Sequence, residues 1–254
     1  GDSPTSPCGV GAGGEQLITP HNNEVPMTSP VLRDYQQEAV ESVFAYWSNG
    51  GPGSPLVELP TGSGKSMVIA ETVRRLVQDY GARVLLATHR KELIEQDARA
   101  IWNLWPLAPV GIYSAGLSRK EFNQVTVGGV QSLVVAARKS DFPAFDVMLV
   151  DEAHLVAPDE GTQYGILLSE LRKRNADLRL VGLTATPYRV GQGLLTSGAG
   201  AMFSCVTYQA DVARLVQQGF LAPLVAPDHD LVQIDVSNVG TRAGEFVQKD
   251  VEAA

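Results

Sequence analysis

Two cysteines, Cys8 and Cys205, are all that the 254 residues contain. They lie far apart and without metal-ligand spacing, so they build no disulfide framework and argue for no oxidising compartment. Histidine is equally sparse: His21, His89, His154 and His229 form no pair at zinc spacing. Aromatic residues make up 7% of the chain, and no interleaved aromatic and basic run offers a base-stacking platform. Cations are outnumbered, with 20 Lys and Arg against 28 Asp and Glu and a formal net charge of −8. That excludes a generally basic coat for nucleic acid, so any such contact must come from a local groove. No run approaches the roughly 18 apolar residues of a membrane span, and the N-terminus lacks a basic-then-apolar secretion pattern. A cytoplasmic location is the expectation.

What is present is a chain with 44% hydrophobic and 19% charged residues, enough for a buried core. Residues 1–30 are rich in Gly, Pro, Ser and Thr and carry three acids and no base. They read as a disordered or appended leader, with Met27 a possible native start. Residues 224–254 are acidic, with six acids against Arg242 and Lys249. They read as a linker or the beginning of a further lobe, and Leu221–Val232 as either a closing strand or that linker. The stretch between is nearly neutral, with 19 acids and 18 bases.

Within 31–223, short apolar runs alternate with helical periods. The runs are Leu56–Leu59, Val84–Ala87, Val110–Tyr113, Gln124–Val127, Val147–Val150 and Arg179–Leu183. Helical spacing covers Arg33–Trp47, Lys65–Tyr80, Lys91–Trp105 and Gln163–Arg174. This alternation predicts a doubly wound α/β domain whose mostly parallel sheet is covered on both faces.

The first strand runs into Pro60-Thr61-Gly62-Ser63-Gly64-Lys65-Ser66, and a helix begins at once. Backbone N–H groups, glycines and a helix N-terminus together make a phosphate cradle. Lys65 is placed to bridge β- and γ-phosphates and Ser66 to ligate magnesium. Leu59 stands where the first glycine of G-x-x-x-x-G-K-[ST] belongs, so the full motif is not met. Later, the apolar strand Val147–Val150 ends in Asp151-Glu152-Ala153-His154. Carboxylates at the C-terminal edge of a buried strand sit where open α/β sheets bind ligands. Asp151 is assigned to the metal, and Glu152 to the attacking water as general base.

Taken together, Pro60–Ser66, Asp151–His154 and Gly182-Leu183-Thr184-Ala185-Thr186-Pro187 resemble motifs I, II and III of superfamily 2 DEAD/DEAH-box helicases. Leu32-Arg33-Asp34-Tyr35-Gln36 resembles the Q motif, Thr88–Leu93 motif Ia and Gly129–Leu133 motif Ib. The stretches Tyr113–Leu117 and Gly182–Arg189 bring the chain closer to RadD-like repair proteins and to the motor subunits of type I and type III restriction enzymes. The resemblance implies a RecA-like P-loop NTPase domain using ATP and Mg²⁺. It implies that Gln36 recognises adenine with Arg33 nearby, Tyr35 either stacking on the base or filling the core. Thr184 and Thr186 would couple to His154, an ordinary N-cap being their other reading.

The same resemblance puts Thr88, His89, Arg90, Gln131 and Ser132 on a nucleic-acid face, with DNA favoured over RNA. Hydroxyls, amides and an arginine there would hold phosphates without reading sequence. Arg119, Lys120, Arg138 and Lys139 either widen that track or are solvated charges. Arg172-Lys173-Arg174 is better read as complementing a helix dipole. Superfamily 2 motors close ATP against a second RecA-like lobe carrying Gln-x-x-Gly-Arg-x-x-Arg, which is not found after Phe220. The expectation is therefore a single lobe, the ATPase half of a DNA helicase or translocase of the repair or restriction type, completed by a second lobe or partner. The alternatives are a nucleotide-binding switch without turnover and, less well supported, a small-molecule phosphotransferase.

Overall fold

The computed structural model describes residues 30–156, 161–189, 193–198, 201–223, 241–242 and 245–246. The expectations for Cys8, His21, Met27 and His229, and most of those for 224–254, lie outside them. In chain order the main elements are α1 (Asp34–Ser48), β1 (Pro55–Glu58), α2 (Lys65–Tyr80), β2 (Val84–Thr88), α3 (Lys91–Leu104) and β3 (Val110–Ser114). They continue with β4 (Arg119–Lys120), β5 (Val125–Gly129), α4 (Val130–Ala137), β6 (Val147–Val150), α5 (Gln163–Arg174) and β7 (Arg179–Thr184). A small ribbon of β8 (Tyr188–Arg189) and β9 (Gly193–Leu194), then β10 (Cys205–Gln209) and α6 (Val212–Gln217), follow.

The central sheet has the order β10-β1-β7-β6-β2-β5-β3-β4. Every pairing in it is parallel except β3 with β4. The short, charged, antiparallel β4 blunts that edge against further strand addition. Alternate residues of each inner strand enter opposite cores, which is why the strands read as unbroken apolar runs. Val84 and Leu86, Val147 and Leu149, and Val181 and Leu183 pack with residues of α1, α2 and α3. Leu85, Met148, Val150 and Leu180 pack with α4 and α5. Gly182 keeps the second face open for Phe203: a Cβ there would stand 2.4 Å from the ring.

Helix α2 is stopped as its sequence suggests. Gly81 adopts φ +67°, its N–H bonds Val77 O, and the next N–H reaches back to Leu76 O. That is a left-handed glycine cap satisfying the last carbonyls. Helix α4 and strand β10 escape the periodicity analysis for physical reasons. Val130–Ala137 is only eight residues long with its polar residues, Gln131 and Ser132, confined to the first turn, and β10 is a partly exposed edge strand without an apolar run. Two cations at the end of α5 are engaged within the protein. Arg174 donates to the carbonyls of Ala137, Lys139 and Phe142, and Lys173 pairs with Glu170.

Candidate active site

Strands β1, β7 and β6 lie side by side, so Pro60–Ser66, Thr184 and Asp151–Glu152 emerge at one sheet edge with Thr184 in the middle. The strand pairing runs on past β1. Leu59 N donates to Thr184 O at 2.9 Å, and the Leu59 side chain is fully buried. The position where the loop motif expects glycine is thus a core strand residue, and the turn itself is made by Gly62 and Gly64. These adopt φ +82° and +77°, the left-handed region that glycine enters freely. At Gly64 space also matters, since a Cβ would meet Gln36 Nε2 at 2.5 Å.

The first turn of α1 clamps the loop from below. Tyr35 Oη and Gln36 Nε2 both donate to Ser63 O, the latter at 3.0 Å, while Gln36 Oε1 accepts from Arg33 N at 3.0 Å. Both ends of the Gln36 amide are therefore engaged within the protein, and the residue is buried. In this structure it holds the phosphate loop. Tyr35 resolves to the core, at 1% exposure. The Arg33 guanidinium stacks 4.4 Å from the Phe220 ring and donates to Tyr35 Oη. Phe220, which the sequence reading passed over, packs on Tyr35, and Leu221 lies against Gly62, so the segment after α6 walls one side of the loop.

Lys65 projects between the two acids that follow β6. Its Nζ donates to Glu152 Oε1 and forms an ion pair with Asp151 Oδ1 at 3.3 Å. Asp151 is 3% exposed, and its Oδ1 is buried without a hydrogen-bond partner. Burial pushes its carboxyl upward, the Lys65 charge pulls it back and the Glu152 charge adds to the rise. Across from it, Gln96 Nε2 donates to Ser66 Oγ at 2.9 Å. A hydroxyl and an under-coordinated carboxylate are hard oxygen donors of the type Mg²⁺ takes, so Ser66 and Asp151 fit the ion expected from the sequence.

A third acid was missed. Asp97 of α3 is fully buried on the same stripe as Ile94 and Ile101. Burial, then the Asp151 charge, push its carboxyl up to about 8, with Ser66 and Lys65 acting in the other direction. The signal was legible in principle, because an acid three residues after Ile94 and four before Ile101 falls on the apolar face of the helix.

Beside the acids lies a polar relay. Glu152 adopts φ +53°, an uncommon backbone state for a residue with a Cβ, and such strain concentrates at functional sites. His154 Nδ1 is 3.4 Å from Glu152 Oε2 and 3.0 Å from Thr184 Oγ1. The Thr184 hydroxyl also lies 3.0 Å from Thr186 O and accepts from Thr186 N at 3.1 Å. If that hydroxyl gives its single proton to Thr186 O, His154 must carry its proton on Nδ1. Arg189 Nε donates to His154 O at 2.9 Å and ties the ribbon to this turn. Neither Thr184 nor Thr186 caps a helix.

The residues suggested for nucleic acid are scattered in kind. His89 and Arg90 are exposed at the end of β2, and Gln131 is exposed on the first turn of α4. Ser132 is half-buried and accepts from Ala115 N at 2.9 Å, which anchors the turn after β3. Thr88 is corrected: it is fully buried, with its hydroxyl enclosed, so it supports this surface from beneath and does not present a phosphate contact. Of the flanking cations, Arg119 pairs with Glu121, and Lys120, Arg138 and Lys139 are exposed. Among the described residues no cluster of His, Cys, Asp and Glu could by itself enclose a metal, and no helix is long and apolar enough to cross a membrane.

The chain is similar to several known proteins. Residues 29–189 match the family described as type III restriction enzyme, res subunit. IRC3 of Saccharomyces cerevisiae, which carries the name of an ATP-dependent helicase, is 24% identical over 231 residues, 86% of this chain and 32% of that protein. The type ISP restriction-modification enzyme LlaBIII, solved bound to DNA, matches 75% of this chain and 16% of its own with a TM-score of 0.55 and 20% identity. A nuclease-deletion mutant of the type ISP enzyme LlaGI, solved with a DNA substrate mimic, matches 75% of this chain and 21% of its own, with a TM-score of 0.54 and 18% identity. The chain thus spans a minor part of each of these proteins. The fold is one these restriction enzymes share, an α/β domain built on an eight-stranded, mostly parallel sheet. With the phosphate loop, the paired acids and the Thr184 strand set side by side as described, the chain belongs to the type III restriction enzyme res subunit family.

Proposed function

We propose that this domain binds ATP with Mg²⁺ at the edge formed by Pro60–Ser66 and Asp151–Glu152, and that it hydrolyses ATP to move along DNA when joined to a second RecA-like lobe. The observation that carries this reading is the placement of Lys65 between Asp151 and Glu152. One ammonium facing two carboxylates is the charge pattern of a site whose substrate is a polyanion and whose counter-ion is divalent.

Thr61, Gly62, Ser63 and Gly64 offer their backbone to the phosphates, and the N-terminus of α2 favours their charge. Lys65 leaves the acids and neutralises the β- and γ-phosphates. Ser66 and Asp151 would hold Mg²⁺, which when bound supplies charge stabilisation to the transferring phosphoryl group. Glu152, released from Lys65, accepts a proton from the attacking water at its carboxylate. His154 and Thr184 report the state of Glu152 to Thr186 and Arg189. Exposed His89, Arg90 and Gln131 contact the nucleic-acid backbone, with affinity that falls steeply with salt. DNA is favoured over RNA because the type ISP neighbours were solved with DNA or its mimic.

The deciding experiment is phosphate release by a protein extended to include a second lobe, measured with single-stranded DNA, duplex DNA and RNA. DNA-stimulated release that Glu152→Gln abolishes supports the proposal. Nucleotide binding with no release under any of these conditions would leave a switch module in its place.

A further inference from the structure

Asp97 is the buried acid that the mechanism above leaves unused. Its side chain is fully enclosed, and neither carboxyl oxygen has a hydrogen-bond partner. Enclosing an acid in this way is costly unless a donor meets it in some working state. The groups that act on it are those of the nucleotide site: Asp151, Ser66, Lys65 and Glu152. Among them Ser66 acts to favour the charged carboxyl, against burial and the Asp151 charge. The preceding residue on the helix, Gln96, already donates to Ser66 Oγ at 2.9 Å.

Ser66 Oγ has two lone pairs and one proton. A hydroxyl that ligates a cation presents a lone pair to it and must turn its proton away. With Gln96 Nε2 taking the other lone pair, that proton needs an acceptor inside the protein. Asp151 faces Lys65, whereas Asp97, the neighbour of Gln96 on α3, has both carboxyl oxygens buried without a hydrogen-bond partner.

We infer that Asp97 is a positioning residue: its carboxyl oxygen accepts the Ser66 hydroxyl proton and so aims the Ser66 lone pair at the divalent cation that accompanies the nucleotide. The inference rests on the proposed function, and it concerns a side chain outside the phosphate loop and the acidic turn. The device needs an acceptor and not a charge, so asparagine should serve where alanine does not.

The test is equilibrium binding of a fluorescent ADP analogue to the chain, with Mg²⁺ and with EDTA, for the parent, Asp97→Ala and Asp97→Asn. Asp97→Ala is expected to weaken binding by about 10-fold or more with Mg²⁺, as loss of a partner behind a metal ligand does, and to leave binding in EDTA unchanged. Asp97→Asn should restore most of the Mg²⁺-dependent affinity. In a Ser66→Ala background, Asp97→Ala should have no further effect. An Asp97→Ala protein with the parent's Mg²⁺ dependence overturns the inference, as does an equal loss with and without Mg²⁺. If Asp97→Ala does not fold, Asp97→Asn and the Ser66→Ala background decide: loss of Mg²⁺ dependence in Asp97→Asn, or an effect of Asp97→Asn that persists without the Ser66 hydroxyl, overturns it. A parent chain that binds no nucleotide defeats the underlying reading instead, and that result appears before any variant is compared.

Discussion

The Nδ1 atom of His154 stands 3.0 Å from the hydroxyl of Thr184, across two neighbouring strands. One residue reaches back toward Glu152 and the other forward to Thr186 and the ribbon at Arg189. The two therefore lie between the acid assigned to the water and a segment able to pass on movement.

Replacing Thr184 by Val keeps the shape and removes the hydroxyl. In the two-lobed protein, Thr184→Val is expected to leave ATP affinity within a few-fold and to lower DNA-stimulated turnover by about 10-fold or more, an effect of the size given by groups acting on a catalytic base. Fluorescent nucleotide titration and phosphate release measure the two quantities separately. Equal loss of both would make the hydroxyl a folding element only.

Lys65 and Glu152 are expected to separate binding from chemistry. Lys65→Ala removes the cation facing the phosphates and should abolish detectable nucleotide binding. Glu152→Gln should bind ATP at least as well as the parent, because it removes a negative charge beside Lys65, and should stop hydrolysis. Filter binding with labelled ATP checks the first statement. Single-turnover hydrolysis checks the second, and ordinary turnover by Glu152→Gln would remove its role as base.

Gly64 is required by conformation and by space. At φ +77°, with Gln36 Nε2 only 2.5 Å from a new Cβ, Gly64→Ala must distort either the loop or its clamp. The backbone strain alone is about 1–2 kcal/mol. A lowered melting temperature together with weakened nucleotide binding is the expected outcome. Gly50→Ala is the control, since its Cβ would meet nothing within 4 Å, and it should lower the melting temperature with nucleotide binding unchanged.

The buried acids make stability depend on pH. Asp97 is raised from near 3.8 to about 8, so between those values the folded chain holds a proton that the unfolded chain has released. Stability of the nucleotide-free chain should accordingly fall as pH rises through that window. Asp151, raised in the same direction, adds to the slope. Urea unfolding from pH 5 to pH 8 should show the decline, and Asp97→Asn should flatten it. A slope unchanged by Asp97→Asn would place the linkage elsewhere.

Much of this architecture was legible in one dimension. Helices over Lys65–Tyr80 and Gln163–Arg174 and the strand over Val147–Val150 have the bounds their periodicity suggests. They are long or strongly patterned, and glycine, proline or acids punctuate them. Helix α4 and strand β10 were not legible, because α4 is short with an exposed Val135 on its wet side and β10 is a partly exposed edge strand without an apolar run. At the site, the loop and the acids announced themselves through residue type. Thr88 and Gln36 did not reveal their surroundings, since a hydroxyl or an amide looks the same in sequence whether it faces solvent or a buried carbonyl.

By itself, then, the order of residues determined the longer helices and the inner strands, and that phosphate and a hard cation are the ligands to expect. Local spacing and the chemistry of Lys, Ser, Asp and Glu suffice for that. Tertiary structure alone decided that Gln36 clamps the loop, that Phe220 walls it and that Asp97 is enclosed beside Gln96, the partner of Ser66. Those relations join residues far apart in the chain, and only the packing of α1, α3 and the segment after α6 around the sheet brings them within reach.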